Sequence, residues 1–506
     1  MIDKIKEKIF AKKQIILSIF LTGFLCTFLF GYVTLISNKG NIRESLCTYI
    51  AVLCCIMVLL TIFLCVIKKK VIFMCIVIVL IASLYYLKLP VGSGPDEANH
   101  FFRAFEISCG DLLSKHVGEN KVGGNILPMA LTDFANKEAV LDWKQLSEIE
   151  FPTMSLYAPI SYFPQAIAIK IARMVTDNVY TIFMAGRMGA MIVNLILICW
   201  ALFKLPIARE LLFLIILFPM NMQEMVVMSS DGWTMAMVSA FLAYILNLKY
   251  KDKINKRQMV VLLFMGLSIA LSKIVYIVIC FAIFMIPKEI FKSKKMDMRF
   301  KCGFILTVIL ANVLWLCVSY GYMTEFTPGV NSTEQIKYVL QNIPEIYLIS
   351  IRTIFTNGAS WIQSMFGASL GALNIPVNWS VWIVYLILIV AIIARYKLQY
   401  ELKLADNIIC LLIFLSGSAL IFASLYVQWT AYQNPIIDGI QGRYFIPLLI
   451  FLFLPLVSFN NEKSNVIIRE EKQDKENKIN ICEMMIPVFL NCIALLDIFN
   501  FALQNV

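Results

Sequence analysis

Long apolar runs separated by short polar segments dominate the chain. Each run is about 20 residues long, enough for a helix to cross a ~30 Å hydrocarbon layer, and the period-two alternation of a membrane barrel is not seen. The pattern predicts an all-α, polytopic integral membrane protein with about 13 transmembrane helices. We place them at 14–36, 45–67, 71–89, 180–203, 210–228, 232–248, 258–272, 274–287, 302–322, 379–396, 407–427, 444–459 and 482–501.

The spacing of these runs divides the chain into three parts. Residues 1–70 hold two N-terminal helices, and 71–460 form the main membrane domain with predicted external loops at 90–157, 323–378 and 428–443. Residues 461–506 supply a charged cytoplasmic segment and the last helix. Two apolar segments, 158–174 and 336–356, contain proline and charged residues, and we interpret them as juxtamembrane or re-entrant helices on the outer side.

Composition and charge support a multi-pass protein of the cytoplasmic membrane. Hydrophobic residues make up 60% of the chain and charged residues 15%, far from the balance of a soluble domain. The net charge of +11 is concentrated in short segments between the runs, such as "KYKDKINKR" and "KEIFKSKKMDMRFK". This is the positive-inside bias, and it predicts a cytoplasmic N-terminus. With no soluble domain to carry a basic face, nucleic-acid binding is disfavoured.

The densest ionisable cluster, "GPDEANHFFRAFEISCGD" at 94–111, follows directly on the third apolar run. At helical spacing Asp96 and Glu97 share a stripe with His100 and Arg103, which leaves three phenylalanines, at 101, 102 and 105, to meet the membrane surface. One interpretation is an ordinary helix start with solvated charges. The other is a general base held at the membrane–water boundary, with a divalent cation on Asp96, Glu97 and His100 as a further option.

Several motifs along the chain carry a family resemblance. "PDEANHFFRAFEISCGDL" resembles the segment after the first helix of GT-C glycosyltransferases, which take sugars from polyprenyl-phosphate carriers. "YAPISYF", "MAGRMGAMIVN" and "MSSDGWTMAM" are similar to later segments of that superfamily. Together with "FGASLGALNIP" and "IQGRYFIPLL", they resemble a bacterial family of predicted membrane proteins, domain of unknown function 2142 (DUF2142). The resemblance covers residues 71–460, and implies that this part is a GT-C-like membrane domain.

The resemblance also implies roles for particular residues. Asp96 is the expected base, and Glu97 is its neighbour or a metal ligand. The position of Tyr157 is a lysine or histidine in the related motif, and two extra helices precede the expected first one. The remaining residues expected to bind substrate are His100, Arg103, Tyr157, Asp231, Lys273, Gln441, Arg443 and Tyr444.

The physical case for these residues rests on charge at the ends of apolar runs. A guanidinium such as Arg443 can hold phosphate oxygens in a fork, although a snorkelling arginine at an interface is the alternative. Lys273 sits between two short runs, where a cation is costly and functional roles are common. Asp231 could instead cap its helix. Arg187 lies within a run and needs a partner, such as Glu224.

The leading hypothesis is a membrane glycosyltransferase that moves a sugar from a polyprenyl-phosphate donor to a cell-envelope glycan or glycolipid on the outer face of the membrane. The alternatives are a polysaccharide polymerase or ligase, a transporter or flippase of lipid-linked saccharide, and a noncatalytic assembly subunit. No phosphate-binding loop or dinucleotide-binding glycine pattern is present in the sequence, which disfavours nucleotide-sugar chemistry.

Overall fold

A computed structural model of the protein describes residues 44–66, 69–322, 329–395, 402–462 and 481–504, together with residues 22, 23, 25, 26 and 29. The predicted first helix at 14–36 and the charged stretch at 463–480 fall largely outside these residues. The described helices are α1 Glu44–Val66, α2 Lys70–Lys88, α3 Glu97–Cys109, α4 Pro152–Ser155, α5 Phe163–Ala172, α6 Val179–Lys204, α7 Arg209–Ile216, α8 Pro219–Val226, α9 Ser230–Lys249, α10 Lys256–Ser272, α11 Lys294–Ser319, α12 Ser332–Gln341, α13 Ile343–Met365, α14 Trp379–Arg395, α15 Leu404–Gln428, α16 Ile446–Glu462 and α17 Ile481–Gln504.

Helix length and apolar composition confirm a helical, multi-pass membrane protein. Within the described residues, five helices are each long and apolar enough to cross a membrane, and α8 with α9 forms a sixth, bent candidate. Several shorter apolar helices pack among them. The expected total of about 13 spans stays a prediction, since length and composition support fewer.

Polar side chains fix where many of these helices begin. The Asn178 side chain accepts a hydrogen bond from the amide of Thr181 at the start of α6. Asn255 and Gln258 form a reciprocal capping box on α10, and Ser293 caps α11. Such caps satisfy amides that have no partner inside the helix.

The predicted span 210–228 is wrong. The chain forms two eight-residue helices there, α7 and α8, because Pro219 lacks an amide hydrogen and restricts the residue before it. Helix α8 then meets α9 at an angle of 108°. At this bend a Cβ on Gly232 would lie 2.2 Å from the carbonyl oxygen of Glu224, so only glycine allows the two helices to approach this closely.

The segment predicted as the span 274–287 is a twelve-residue 3-10 helix, Ile274–Met285. A 3-10 helix repeats every three residues, so side chains three apart lie in straight lines. Residues 276, 279, 282 and 285 are all buried. One of the other two lines, Val275, Val278, Phe281 and Phe284, is partly exposed, and we call it the apolar track.

Residues 89–178, between α2 and α6, form what we call the cap segment. It holds α3 and a three-stranded antiparallel sheet of β1 Lys115–Val117, β2 Val122–Pro128 and β3 Leu146–Glu150, in the order β1-β2-β3. The sequence does not predict this sheet. Helix α5, at 163–172, lies within the predicted juxtamembrane segment 158–174. Its ten residues, at ~1.5 Å each, make a helix too short to span a membrane.

The phenylalanines of α3 do not meet the membrane surface, contrary to expectation. Phe101 and Phe105 are fully buried and Phe102 nearly so. They pack in a core between the cap segment and α6, where the ring of Phe101 lies 5.0 Å from that of Phe183. This aromatic core holds α3 against the membrane helices.

The motif "FGASLGALNIP" forms a short hairpin of β4 Ser369–Leu370 and β5 Ile375–Pro376. Gly371 adopts a left-handed conformation with φ of 65°, which its missing Cβ permits. The backbone amide of Gly371 donates to the side-chain oxygen of Gln223 at 2.6 Å. The backbone carbonyl of Gly371 accepts from the side-chain nitrogen of Gln223 at 3.0 Å. The motif therefore anchors α8. The predicted segment 336–356 covers the second part of α12 and the first part of α13, and the two helices are separated at Asn342.

Candidate functional site

One cavity of about 330 Å³ lies where the cap segment meets the ends of the membrane helices. Its walls come from α3, the start of α9, the junction of α10 with the 3-10 helix, the second half of α11, and the loop between α15 and α16. Eight of the ten side chains predicted to act in catalysis or binding line it: Asp96, His100, Tyr157, Asp231, Lys273, Gln441, Arg443 and Tyr444. Glu97 and Arg103 do not.

Asp96 presents a free carboxylate to this cavity. It occupies the position just before α3 with a left-handed backbone, φ 53°, and its side chain does not cap the helix. Aspartate tolerates that conformation better than most residues. The side chain is exposed, and the structure gives it no hydrogen bond or ion pair within the described residues. The simple capping interpretation therefore does not hold for Asp96.

Glu97 is turned away from the cavity and fully occupied. Both of its carboxylate oxygens accept from Arg187, each at 2.6 Å. The amides of Gly94 and Met228 donate to the same carboxylate at 3.1 Å. A buried carboxylate held this way is a structural anchor. The predicted role of Glu97 as catalytic neighbour or metal ligand is wrong on this geometry, and Arg187 pairs with Glu97 rather than with Glu224.

This anchor connects two functional segments. Glu97 follows Asp96 directly, and Met228 lies three residues before Asp231. The bidentate ion pair with Arg187 holds the start of α3 against α6, and the hydrogen bond from the Met228 amide joins Glu97 to the bend between α8 and α9. The relative position of the two cavity carboxylates depends on both contacts.

Asp231 lies at the centre of a buried charge cluster. Its carboxylate is paired with the ammonium of Lys273, and its second oxygen lies 3.3 Å from Nε of Arg443. Helix capping is performed by Ser229 instead, whose hydroxyl accepts from the amides of Asp231 and Gly232. The interpretation of Asp231 as a cap is therefore wrong, and its carboxylate is free to organise the two cations.

Arg443 has hydrogen-bond donors that no described residue uses. Its side chain is 6% exposed, yet Nε and Nη1 have no hydrogen-bond partner among the described residues. The contact of Nε with Asp231 is close enough for an ion pair but is not aligned as a hydrogen bond. Buried donors without partners are rare in folded proteins. The side-chain oxygen of Gln441 beside it is likewise buried and unpaired.

Two tyrosines shape the cationic wall. The ammonium of Lys273 lies 5.1 Å from the ring centre of Tyr444 and 5.6 Å from that of Tyr157. Such cation–π contacts stabilise a partly desolvated charge. Burial raises the pKa of Tyr157 above its usual value, so the phenol stays neutral and can donate or accept a hydrogen bond.

His100 lines the cavity but is almost completely buried. Its Nδ1 is hydrogen-bonded to the hydroxyl of Tyr162 at 2.7 Å. Burial lowers the pKa of His100 to about 3, so the ring is neutral at physiological pH. Arg103 is placed outside the cavity: its guanidinium pairs with Glu106 and donates to the carbonyl oxygen of Tyr157 at 3.3 Å. It supports the wall rather than contacting a ligand.

The proposed metal ligands do not come together. Glu97 is saturated by Arg187 and two amides, and His100 is bound to Tyr162. Within the part of the chain that the structure describes, no group of three or more His, Cys, Asp or Glu side chains could hold a metal ion. The residues present do not fit the expected cation site, and we derive no step through a metal.

Several residues of the cavity were not predicted from the sequence. Trp315 and Trp429 lie in its walls, and Tyr276 donates to the carbonyl oxygen of Tyr444 at 2.8 Å. Asn312 donates to the carbonyl of Ala270 at 2.7 Å and so fixes α11 against α10. Asn312 could have been found, since a polar residue in the middle of an apolar run is unusual.

The fold and the cavity define a polytopic membrane protein with an ionic pocket at one end of its helices. The chain belongs to the family described as predicted membrane protein (DUF2142), whose model matches residues 79–452. No curated protein matches the sequence significantly. Among solved structures, the chain is similar to ArnT from Cupriavidus metallidurans in the apo state, at 10% identity and a TM-score of 0.37, over 82% of this chain and 74% of that one.

Proposed function

We propose that this protein is a membrane glycosyltransferase. It transfers a sugar from a polyprenyl-phosphate donor to a cell-envelope glycan or glycolipid, with its cavity at the outer face of the cytoplasmic membrane. The observation that carries the proposal is that one cavity holds both the unpaired carboxylate of Asp96 and the unused donors of Arg443. The GT-C-like motifs of the sequence support the same chemistry.

The proposed reaction assigns the base to Asp96. Its carboxylate takes the proton of an acceptor hydroxyl as the hydroxyl oxygen forms a bond to the anomeric carbon of the sugar. The bond between that carbon and the phosphate oxygen breaks, and polyprenyl phosphate leaves with the electron pair. The carboxylate of Asp96 accepts no hydrogen bond from a described residue, which leaves its oxygens available for this proton.

The phosphate is assigned to Arg443 and Lys273. The ion pairs of these two cations with described residues are made to one carboxylate, Asp231, although the charges of Glu224 and Asp96 also act on Arg443. The negative charge of a phosphodiester donor would add a second direct partner for the two cations. The planar guanidinium of Arg443 has Nε and Nη1 free to form two charge-assisted hydrogen bonds, and these would strengthen as the leaving phosphate gains charge.

The prenyl chain is assigned to the apolar track. Val275 lines the cavity, and the track continues from it along the 3-10 helix for about 18 Å, at ~2.0 Å per residue. Helices α11 and α15 both pack against the 3-10 helix and flank it. A lipid seated there would place its phosphate beside Lys273 while its chain remained in apolar surroundings.

The test is transfer from a radiolabelled polyprenyl-phosphate hexose to envelope membranes of the source cells. Asp96→Asn should lower the rate about 100-fold or more, the usual contribution of a general base. The matched control is Glu119→Gln, which removes an exposed carboxylate elsewhere in the cap segment. Full activity of Asp96→Asn would remove the proposed base. Movement of the labelled lipid across vesicles without bond cleavage would instead favour a flippase.

A further inference from the structure

A second hollow, of about 360 Å³, lies at the other end of α10 and α11. It is lined by Met259, Ser293, Lys295, Met296, Arg299 and Phe300, and we call it the basic groove. Met259 precedes Ser272, which lines the cavity, by 13 residues of α10, a separation of about 20 Å along the helix axis. The groove and the cavity therefore lie at opposite ends of the same helices.

Exposed positive charge surrounds the basic groove. The loops before α10 and before α11 are joined by a hydrogen bond of 3.0 Å from the amide of Ile254 to the carbonyl of Ile290. Asp297 is buried and already paired with Lys301. None of the exposed cations in these loops forms an ion pair with a described residue, and only Asp252 and Glu289 are exposed acids. The cations are Lys251, Lys253, Lys256, Arg257, Lys288, Lys292, Lys294, Lys295 and Arg299.

The protein surface is apolar within two helical turns of these charges. On α10, Val260 is 65% exposed and Phe264 55%. On α11, Met298 is 58% exposed and Leu306 67%. A groove with cations at its rim and exposed apolar helix faces beside it has the profile of the boundary between lipid headgroups and acyl chains.

We infer that the basic groove binds an anionic glycerophospholipid. Lys295 and Arg299 hold the headgroup phosphate, and the acyl chains lie along the apolar faces of α10 and α11. A free phosphate ion would satisfy the cations but would leave those apolar faces without a role. The inference is independent of the proposed function, and the predicted orientation places the groove on the cytoplasmic side.

The experiment measures lipid binding to the purified full chain by native mass spectrometry in a neutral detergent. We expect dioleoyl phosphatidylglycerol to bind more tightly than dioleoyl phosphatidylcholine. The double variant Lys295→Gln/Arg299→Gln should weaken phosphatidylglycerol binding at least about tenfold, as expected for two cations near an anionic headgroup. Lys295 and Arg299 are exposed, as are Lys251 and Lys253 of the control variant described next, so both double variants should fold normally.

The control is Lys251→Gln/Lys253→Gln, which removes the same charge from the adjoining loop outside the groove. It should change binding by no more than about twofold, because screening weakens charges that do not contact the lipid. An equal loss in both double variants would show diffuse attraction and overturn the site. Equal affinity for the two lipids, or displacement of phosphatidylglycerol by millimolar inorganic phosphate, would overturn it as well.

Discussion

The two ends of α10 and α11 hold similar charged residues in opposite states. At the cavity end, Lys273 and Arg443 are nearly buried and organised by one carboxylate, Asp231. At the groove end, Lys295 and Arg299 are exposed, with no ionic partner among the described residues. A buried cation is held in a fixed place and can select one ligand, whereas an exposed one mainly attracts a charged surface. Burial, rather than residue type, separates the two kinds of site.

The largest effect should come from breaking the buried pair near the cavity. Arg187→Met leaves the carboxylate of Glu97 buried without its partner, which costs about 3–5 kcal/mol of stability. Lys288→Gln, an exposed change at the groove end, should stay within about 0.5 kcal/mol. Thermal unfolding in detergent compares the two variants. Equal midpoints would show that the anchor does not hold the cap segment.

A smaller effect is expected for lipid-phosphate binding at the cavity. Arg443→Gln removes the unpaired donors and should weaken binding of a polyprenyl phosphate about tenfold to a hundredfold. Arg257→Gln, at the opposite end of α10 and outside both the cavity and the basic groove, is the matched control and should change this affinity by no more than about twofold. Native mass spectrometry with the lipid phosphate measures both. If the two variants lost equal affinity, binding would depend on overall charge and not on the cavity.

The smallest effect concerns pH. Because burial lowers the pKa of His100 to about 3, the unfolded chain binds a proton near pH 6.5 that the folded protein rejects. The free energy of unfolding is therefore not reduced by this group above pH 6.5, and it decreases as the pH falls from 6.5 toward 3. His100→Gln removes this contribution, so its unfolding midpoint should fall less between pH 7 and 5, by the equivalent of about 1–2 kcal/mol. Identical pH slopes would show that His100 is not buried as a neutral ring.

The sequence predicted the members of the cavity better than their arrangement. Asp96, Asp231, Lys273 and Arg443 could be found because each is a charged residue at the end of an apolar run, where charge is unusual. Their predicted external positions, at the ends of different apolar runs, are the basis for expecting them to meet in one site. The sequence could not show which of them would form ion pairs, because partners such as Lys273 and Asp231 are 42 residues apart.

Glu97 shows why neighbours in sequence can have different roles. It follows Asp96 directly, but successive residues at a helix start point about 100° apart. One carboxylate therefore faces the cavity while the other faces α6, where Arg187 lies 90 residues further along the chain. The position of the phenylalanines of α3 was also predicted wrongly, but for another reason. Other parts of the cap segment cover them, and no local sequence pattern reveals that contact.

The apolar runs alone determined that this is a helical membrane protein, because backbone groups in lipid must be hydrogen-bonded within their own segment. Polar caps and prolines marked many of the places where helices begin or break. Only the tertiary structure decided which charges are buried, which are paired and which keep free donors. Those states depend on contacts between segments far apart in sequence, and burial makes each such contact decisive.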